Sequence, residues 1–425
     1  MRNTKLIGPF RQLLTMDNLP AKGPLQDSQL EIIAEGAIAV ADGKILEVGL
    51  FGELLAKYQA VEGFELGQPE GDFIALPGLI DAHTHICFAG TRAADYAMRL
   101  GGKSYLEMAE SGGGIWHTVT KTREALPDEL VALTMERAKN LLRQGVTTVE
   151  VKSGYGLNAD AELKMVEAIR KANALQPADL IPTCLAAHIV PRDFKGSASE
   201  YLESVQYNLL PLLKERKLTH RVDIFIDHGA FGVNEAEHFL RQAKAMGFDL
   251  VIHGDQFVEG GARLAAQLGA LSVDHLESVS EATIQLLALT DVVTVALPGA
   301  SMGLGCQFTP ARKLLNAGCT LAIASDWNPG SAPMGELLMQ AAVLGAFERL
   351  TMAETLAAVT CRAAQALNLK DRGILQTGML ADFIAFPIAD YREVLYCQGA
   401  LKPTMVWKRG ALNDETDVRC PIFKV

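Results

Sequence analysis

The apolar residues of this chain fall into short runs separated by longer segments with helical spacing. Eight of these runs, bounded by turn residues, are typical of buried strands. They cover residues 73–80, 145–151, 180–187, 221–226, 249–252, 270–273, 292–297 and 320–324. Between them, Ser280 is a good N-cap for one helix, while Pro310 opens and Gly318 ends another. Strand–helix alternation in eight units predicts an α/β fold, a parallel (β/α)8 TIM barrel, with a large functional loop in the long gap between residues 80 and 145.

The two ends of the chain have a different, strand-rich pattern. Residues 37–40 and 45–48 are strand-like and flank Asp42-Gly43, a dipeptide that favours a type I′ hairpin. Residues 381–386 and 404–407 are also strand-like, and Arg409-Gly410 is typical of a turn. Because neither end could bury a sheet face by itself, we expect residues 1–72 and 371–425 to form one small composite β-sandwich domain beside a barrel of residues 73–370.

Length and composition narrow the class of protein. A chain of 425 residues, 49% of them hydrophobic, has room for a barrel of ~250 residues and a second small domain. The net charge of -11 argues against nucleic acid as a partner. Seven scattered cysteines without a Cys-x-x-Cys motif fit reduced thiols in a cytoplasmic protein. We also expect no membrane partner, since the chain begins without a signal-peptide pattern and no apolar run reaches the ~20 residues of a membrane helix.

Polar residues follow the predicted barrel strands at the points where the strands end. His83 and His85 come after the first run and point to one side of it. The later runs are followed by Lys152, His188, Asp227 with His228, His253, Asp274 with His275 and, after the eighth run, Asp326. The C-terminal ends of barrel strands face the loops where barrel enzymes do their chemistry. Histidines gathered there with a carboxylate predict a metal site.

Three histidines and one aspartate are a ligand set that suits zinc or ferrous iron. A metal of this kind lowers the pKa of bound water from about 15.7 toward ~7 and polarises a carbonyl group. Asp326 could serve as both ligand and base, and His275 could stabilise a developing oxyanion. These residues predict metal-assisted hydrolysis of a C–N bond, with ester and phosphoester cleavage as open alternatives.

Seven segments of the chain resemble the amidohydrolase superfamily and, within it, most closely the imidazolonepropionase family. They are LPGLIDAHTH (76–85), FAGTR (88–92), GGGI (112–115), TTVEVKSGYGL (147–157), AAH (186–188), DHLE (274–277) and SDWNPG (325–330). The first and last are shared across much of the superfamily. The segments 88–92 and 152–157 are more specific to the imidazolonepropionase family.

The resemblance implies a fold, an activity and a set of site residues. The fold would be the barrel with its composite β-domain, and the protein would be a homodimer. The activity would be opening of 4-imidazolone-5-propanoate to N-formimino-L-glutamate in histidine degradation, by metal-bound hydroxide with Asp326 as proton shuttle. The metal, one ion of Zn2+ or Fe2+/Fe3+, would be held by His83, His85, His253 and Asp326. His275 would assist catalysis, Arg92 and Tyr155 would bind the substrate carboxylate, His188 would contact the ring, and Gln256, Asn328 and Gly330 would complete the substrate site.

Three features depart from the family pattern, and they keep other readings open. Asp227-His228 stands where the family usually has a Phe-Cys-Glu run, the loop 298–305 differs, and Gln256 replaces a glutamate proposed as acid/base in some members. Proton transfer would then fall to Asp326 and His275. A related aminohydrolase or deaminase acting on another cyclic amide or amidine is the alternative, and a non-catalytic scaffold is a remote one. We expect Lys152 to be an ordinary amine rather than a carboxylated bridging ligand.

Overall fold

A computed structural model describes residues 4–102 and 113–413 of the chain. Over these residues the strands are β1 (Lys5–Leu14), β2 (Ile32–Ala41), β3 (Lys44–Leu50), β4 (Glu65–Gly67), β5 (Ile74–Pro77), β6 (Leu79–Asp81), β7 (Val146–Lys152), β8 (Asp179–Ala187), β9 (Arg221–Ile226), β10 (Asp249–Gly254), β11 (Ser272–His275), β12 (Val293–Ala296), β13 (Thr320–Ile323), β14 (Phe383–Phe386), β15 (Met405–Lys408) and β16 (Ala411–Leu412). The helices are α1 (Phe51–Tyr58), α2 (Ala93–Leu100), α3 (Ile115–Glu124), α4 (Pro127–Arg143), α5 (Ala159–Leu175), α6 (Ala198–Asn208), α7 (Leu210–Glu215), α8 (Val233–Ala245), α9 (Gly261–Leu268), α10 (Glu281–Ala288), α11 (Pro298–Leu304), α12 (Ala311–Ala317), α13 (Leu337–Glu348), α14 (Met352–Ala358), α15 (Cys361–Ala366) and α16 (Glu393–Tyr396).

The predicted TIM barrel is confirmed. Strands β6 to β13 are parallel and hydrogen-bonded in chain order. A parallel bridge between Thr84 and Trp327 joins the first and last strands. There the backbone N–H of Asp326 donates to the carbonyl of His83, and that of His85 donates to the carbonyl of Trp327, both at 3.0 Å. The segments that close the barrel therefore also carry three of the predicted metal ligands.

The first predicted strand is wrong in one respect, because residues 73–80 form two strands in two different sheets. Strand β5 pairs with β1 and β14, in a sheet built from both ends of the chain that we call the terminal sheet. Strand β6 pairs with β7 of the barrel. Gly78 lies between them. A Cβ on Gly78 would lie 2.4 Å from Oγ1 of Thr147, so a larger residue could not pass at this crossing.

Both ends of the chain build one sheet, in the order β16-β15-β14-β5-β1-β2-β3 with β4 on β1. The predicted hairpin is confirmed, because Asp42 and Gly43 have φ of 51° and 76°, the pair of positive values of a type I′ turn. One face of the sheet has an aromatic core in which Phe383 stacks on Trp407 at 4.6 Å. Residues 414–425 of the predicted domain lie outside the described residues.

The two helix ends predicted from Ser280 and Gly318 are confirmed. The Ser280 side chain accepts a hydrogen bond from the backbone of Thr283 at the start of α10. Gly318 ends α12 in the left-handed conformation, with φ of 101°.

Six cysteines fall within the described residues and all six are free thiols, while Cys420 lies outside them. In the described part of the chain, no helix combines the length and the hydrophobicity needed to cross a membrane.

Candidate metal centre and active site

The side chains of the four predicted ligands converge at the mouth of the barrel. Nε2 of His83 lies 3.2 Å from Nε2 of His85, and Nε2 of His253 lies 3.4 Å from that same atom. Oδ1 of Asp326 lies 3.4 Å from Nε2 of His83 and 3.3 Å from Nε2 of His85. All four side chains are buried. Residues that are far apart in the chain thus place four donor atoms around one point.

The spacing of these donors fits a divalent metal ion. Zinc binds imidazole nitrogen and carboxylate oxygen at about 2.0–2.2 Å, so the donors of a regular tetrahedron of that size lie ~3.3–3.6 Å apart. The four donor–donor distances given above, 3.2 to 3.4 Å, agree with this value. Imidazole lone pairs that face one another are unfavourable without a shared cation. The donor set is therefore that of a divalent metal site.

Carboxylates behind two of the histidines decide which ring nitrogen faces the site. Nδ1 of His83 lies 2.6 Å from Oδ2 of Asp274, and Nδ1 of His253 lies 2.9 Å from Oδ2 of Asp223. A carboxylate beside Nδ1 favours the proton on that nitrogen, so Nε2 keeps its lone pair for a metal. This arrangement suits both imidazoles as metal ligands.

Asp326 is presented by a backbone in an uncommon conformation. Its φ is 48°, in the left-handed region that non-glycine residues seldom adopt. The carboxylate of Asp81 accepts hydrogen bonds from the backbone N–H and the hydroxyl of Ser325, at 2.9 and 2.5 Å, and so fixes this turn. Burial raises the pKa of Asp326, but the contacts with His83 and His85 outweigh it and hold that pKa well below its ordinary value. Asp326 is therefore an ionised carboxylate.

His188 and Tyr155 form a wall beside His85. The ring of His188 stacks on that of His85 at 5.6 Å, and the ring of Tyr155 lies 5.8 Å from His188. Burial and His85 lower the pKa of His188 to about 3, so its ring is neutral, and its Nδ1 donates to the carbonyl of Gly154 at 3.0 Å. Its Nε2 is left as an acceptor. Burial raises the pKa of Tyr155, so its hydroxyl keeps the proton and can donate.

His275 lies on the opposite side of the ligands, with its ring 5.5 Å from that of His253. Nδ1 of His275 lies 3.5 Å from Oε1 of buried Glu277, which also accepts a hydrogen bond from Ser301. Burial lowers the pKa of His275, but Glu277 and Asp326 outweigh it and raise that pKa. His275 at this position is suited to donate a hydrogen bond to developing negative charge.

Arg92 lies against the loop that follows Asp326. Its Nε donates to Oδ2 of Asp95 at 2.8 Å, and the same oxygen accepts from the backbone of Gly114 at 2.8 Å. A Cβ on Gly330 would lie 2.6 Å from Nη1 of Arg92, so the guanidinium occupies the space that this glycine leaves. Asp95 therefore contacts the guanidinium at Nε, on the side opposite its terminal nitrogens. Gly112, in the matching segment 112–115, lies outside the described residues.

Asn328, predicted as a substrate contact, builds the loop between Asp326 and Ser331. Its Nδ2 donates to the carbonyl of Asp326 and to the hydroxyl of Ser331, at 2.7 and 2.9 Å. Its Oδ1 accepts from the backbone of Gly330 and Ser331, at 2.7 and 2.8 Å. The side-chain amide has two donors and two acceptor positions, and all are used here. Direct substrate contact by Asn328 stays a prediction.

The departures at Asp227 and Gln256 prove to be neighbours. Oδ2 of Asp227 accepts a hydrogen bond from the backbone of Phe257 at 2.8 Å, and Oδ1 accepts from the backbone of His228 at 2.6 Å. Asp227 thereby ties the loop after β9 to the loop after β10, which carries Gln256. The Gln256 side chain is buried and belongs to the same mouth of the barrel. Its place as a substrate contact stays a prediction.

Sequence reasoning missed the charged residues beneath the metal donors. Glu150 and Asp223 were given no role, yet both are fully buried within the barrel. A signal was present, because Glu150 and Lys152 alternate in β7, as Arg221 and Asp223 do in β9. Side chains two residues apart share one face of a strand. Charged residues alternating along a buried strand therefore point to an internal ionic network.

A model of the amidohydrolase family matches residues 74–412 of the chain. The chain belongs to the amidohydrolase family. The predicted resemblance is thereby confirmed, and two further comparisons define it. An imidazolonepropionase from Bacillus cytotoxicus is 38% identical over 413 residues, covering 96% of each protein. An imidazolonepropionase from Herpetosiphon aurantiacus is 39% identical over 416 residues, again covering 96% of each.

Solved structures of amidohydrolase fold support the architecture. The atrazine chlorohydrolase TrzN from Arthrobacter aurescens TC1, complexed with zinc, gives a TM-score of 0.70 at 17% identity and covers 98% of this chain and 96% of its own. An adenosine deaminase from Xanthomonas campestris with bound zinc gives 0.68 at 20% identity, covering 96% and 92%. At such identities the likeness concerns the fold alone.

Proposed function

We propose that this amidohydrolase opens the ring of 4-imidazolone-5-propanoate to N-formimino-L-glutamate. The full-length similarity to imidazolonepropionases supports this substrate. The observation that carries the proposal is the placement of Arg92 against Gly330, four residues beyond Asp326. A guanidinium fork binds a carboxylate in two places at once, which suits the propionate group. Arg92 and the metal donors follow strands at the same end of the barrel, which supports a substrate that bears a carboxylate.

The residues of the site can be given complementary tasks. A divalent metal bound by the four donors would supply an activated water and polarise the ring carbonyl. Asp326 takes the proton of the attacking water and passes it to the ring nitrogen as the C–N bond breaks. His275 donates a hydrogen bond to the carbonyl oxygen as negative charge develops there. Nε2 of His188 accepts from a ring N–H, and Tyr155 adds a donor to the carboxylate held by Arg92.

We propose either zinc or iron as the metal, because both accept three imidazoles and one carboxylate. We further propose that the protein works as a cytoplasmic homodimer, as the family resemblance implies. Metal analysis of protein purified from its own cells and light scattering of the same sample test these two points.

The proposed substrate is tested by a direct comparison of ring compounds. Purified, metal-loaded protein is assayed with 4-imidazolone-5-propanoate, with hydantoins and with guanine-like rings. We expect hydrolysis of the first, with formimino-glutamate as product and loss of activity on chelation. Ammonia released from a guanine-like ring, with no turnover of the imidazolone, would favour the deaminase alternative. No turnover of any ring by metal-loaded protein would overturn the proposal.

A further inference from the structure

The ammonium of Lys152 lies in a fully buried cage of three carboxylates beneath the metal donors. Nζ lies 2.8 Å from Oε2 of Glu150 and 2.8 Å from Oδ2 of Asp223. It lies 3.6 Å from Oδ2 of Asp274. Lys152 and its three partners are all buried in the barrel interior. An amine enclosed by carboxylates is a cation, which agrees with the expectation that Lys152 is not carboxylated.

The same two oxygen atoms contact both the ammonium and the histidine ligands. Oδ2 of Asp223 lies 2.9 Å from Nδ1 of His253, and Oδ2 of Asp274 lies 2.6 Å from Nδ1 of His83. Each carboxylate oxygen therefore lies between the Lys152 ammonium and one imidazole. Through these two carboxylates, the position of a single ammonium affects two of the three histidine ligands.

The charge balance shows why this ammonium matters. Three carboxylates in one buried cluster would repel one another and bind protons or a cation unless a positive group neutralises them. Arg221 lies on the far side of Glu150, with Nη2 at 3.8 Å from Oε1. Among the lysine and arginine side chains of the described residues, Lys152 is the one that lies within ion-pair distance of both Asp223 and Asp274.

We propose that Lys152 is a positioning residue that serves as the built-in second cation of this site. Its ammonium holds Asp223 and Asp274 against Nδ1 of His253 and His83, which aims both Nε2 atoms at the metal. By occupying the space among Glu150, Asp223 and Asp274, it also limits the barrel to one metal ion. The inference requires a metal at the mouth but is independent of which cyclic substrate is hydrolysed.

The test measures Zn2+ affinity by competition with a chelator on the full chain. Lys152→Met removes the ammonium and keeps most of the side-chain volume. Lys152→Met with Glu150→Gln removes one cation and one anion together, so the buried net charge is unchanged and folding is protected. We expect Zn2+ binding to weaken about 10- to 100-fold in both, as for other residues that support metal ligands. The visible spectrum of the Co2+-loaded double variant should also differ from that of the wild type.

The matched control is Arg221→Met, which removes a buried cation from the same network without touching either aspartate. Its Zn2+ affinity and Co2+ spectrum should stay close to those of the wild type, whatever its stability. A folded double variant that binds Zn2+ within threefold of the wild type would overturn the positioning role. Native mass spectrometry of the wild-type chain after dialysis from excess Zn2+ should count one retained ion. Two retained ions, with Lys152 displaced from its cage, would overturn the second-cation role.

Discussion

The two ends of the barrel both carry clusters of charged residues, and the clusters differ in how their members are paired. At the end away from the site, the Asp179 carboxylate contacts Arg372 at 2.5 Å, Lys408 at 2.8 Å and Arg409 at 2.9 Å. These ion pairs join the start of strand β8 to the terminal sheet. At the mouth, by contrast, three imidazole nitrogens and a carboxylate oxygen face one another with no cation from the described residues among them.

This difference separates structural charge from functional charge. A charge cluster whose members are paired stabilises the join between two parts of the fold. A cluster of donor atoms that converge on one point suits a cation that the chain itself does not supply. Barrel enzymes commonly show this division, with chemistry at the C-terminal ends of the strands and stability at the other end.

The largest effect is expected for Asp326→Asn at the mouth. The variant loses a charged ligand and the group that carries the proton, so kcat should fall by about 10³-fold or more. Steady-state kinetics and metal content are measured together. A variant with full metal content and kcat within tenfold of the wild type would contradict the role of Asp326 as proton carrier.

A smaller effect is expected for Arg92→Met, which leaves all four metal donors in place. Loss of a charged hydrogen-bonding partner should lower kcat/KM for a carboxylate-bearing substrate by about 10- to 100-fold, mainly through KM, with metal content unchanged. Arg143→Met, on the exposed end of α4, is the matched control and should have little effect. Equal kcat/KM in the Arg92 variant and the wild type would remove the carboxylate-binding role.

Gly330→Ala is a smaller change that tests whether Gly330 positions the guanidinium of Arg92. The new Cβ would lie 2.6 Å from Nη1 of Arg92, so the flexible end of the side chain must shift. We expect kcat/KM to fall about 3- to 10-fold, because small displacements of positioning groups reduce rates. Gly52→Ala, where a Cβ meets nothing within 4 Å, should change nothing measurable. A Gly330 variant that behaves like the Gly52 variant would show that the contact does not position Arg92.

The smallest effect on activity is expected for Asp179→Asn at the far end, with kcat/KM near the wild-type value. Burial raises the pKa of Asp179, but Lys408, Arg372 and Arg409 outweigh it and lower that pKa. A carboxylate with a lowered folded-state pKa adds stability above its unfolded pKa, about 3.9, and loses it as the pH falls through the folded pKa. The variant should therefore lose about 1–3 kcal/mol of unfolding free energy at pH 7.

Urea unfolding at a series of pH values measures this dependence. The difference in unfolding free energy between wild type and Asp179→Asn should shrink below about pH 4. A difference that is constant from pH 7 to pH 3 would mean that the charge of Asp179 is not what joins the two domains.

The convergence of the four donor side chains could be predicted from the sequence, because each follows the end of an apolar run, where the barrel geometry determines its place. His83, His253 and Asp326 are far apart in the chain, and the parallel order of the strands brings them together. The split of residues 73–80 between two sheets could not be predicted from hydrophobicity, because both halves are buried. It depends on the close approach of Gly78 to Thr147, which is a tertiary contact.

Arg92 and Tyr155 were predicted to bind the substrate carboxylate from family resemblance rather than from the pattern of the sequence. Arg92 lies at the start of a helix after a loop, and loops do not impose a register as strands do. The hydrogen bonds by which Asn328 builds its loop were not predicted for the same reason, since they are set by the turn of that loop. The cage around Lys152 shows the opposite case, in which a readable alternation of charged residues within β7 and β9 was overlooked.

The proposed chemistry depends on one metal ion held at the mouth of the barrel. Anomalous diffraction from crystals of the metal-loaded protein locates that ion most directly. We predict a single strong peak within about 2.0–2.2 Å of Nε2 of His83, His85 and His253 and of Oδ1 of Asp326. A peak bound elsewhere, or a ligand from this set lying more than about 3 Å from the ion, would contradict the account.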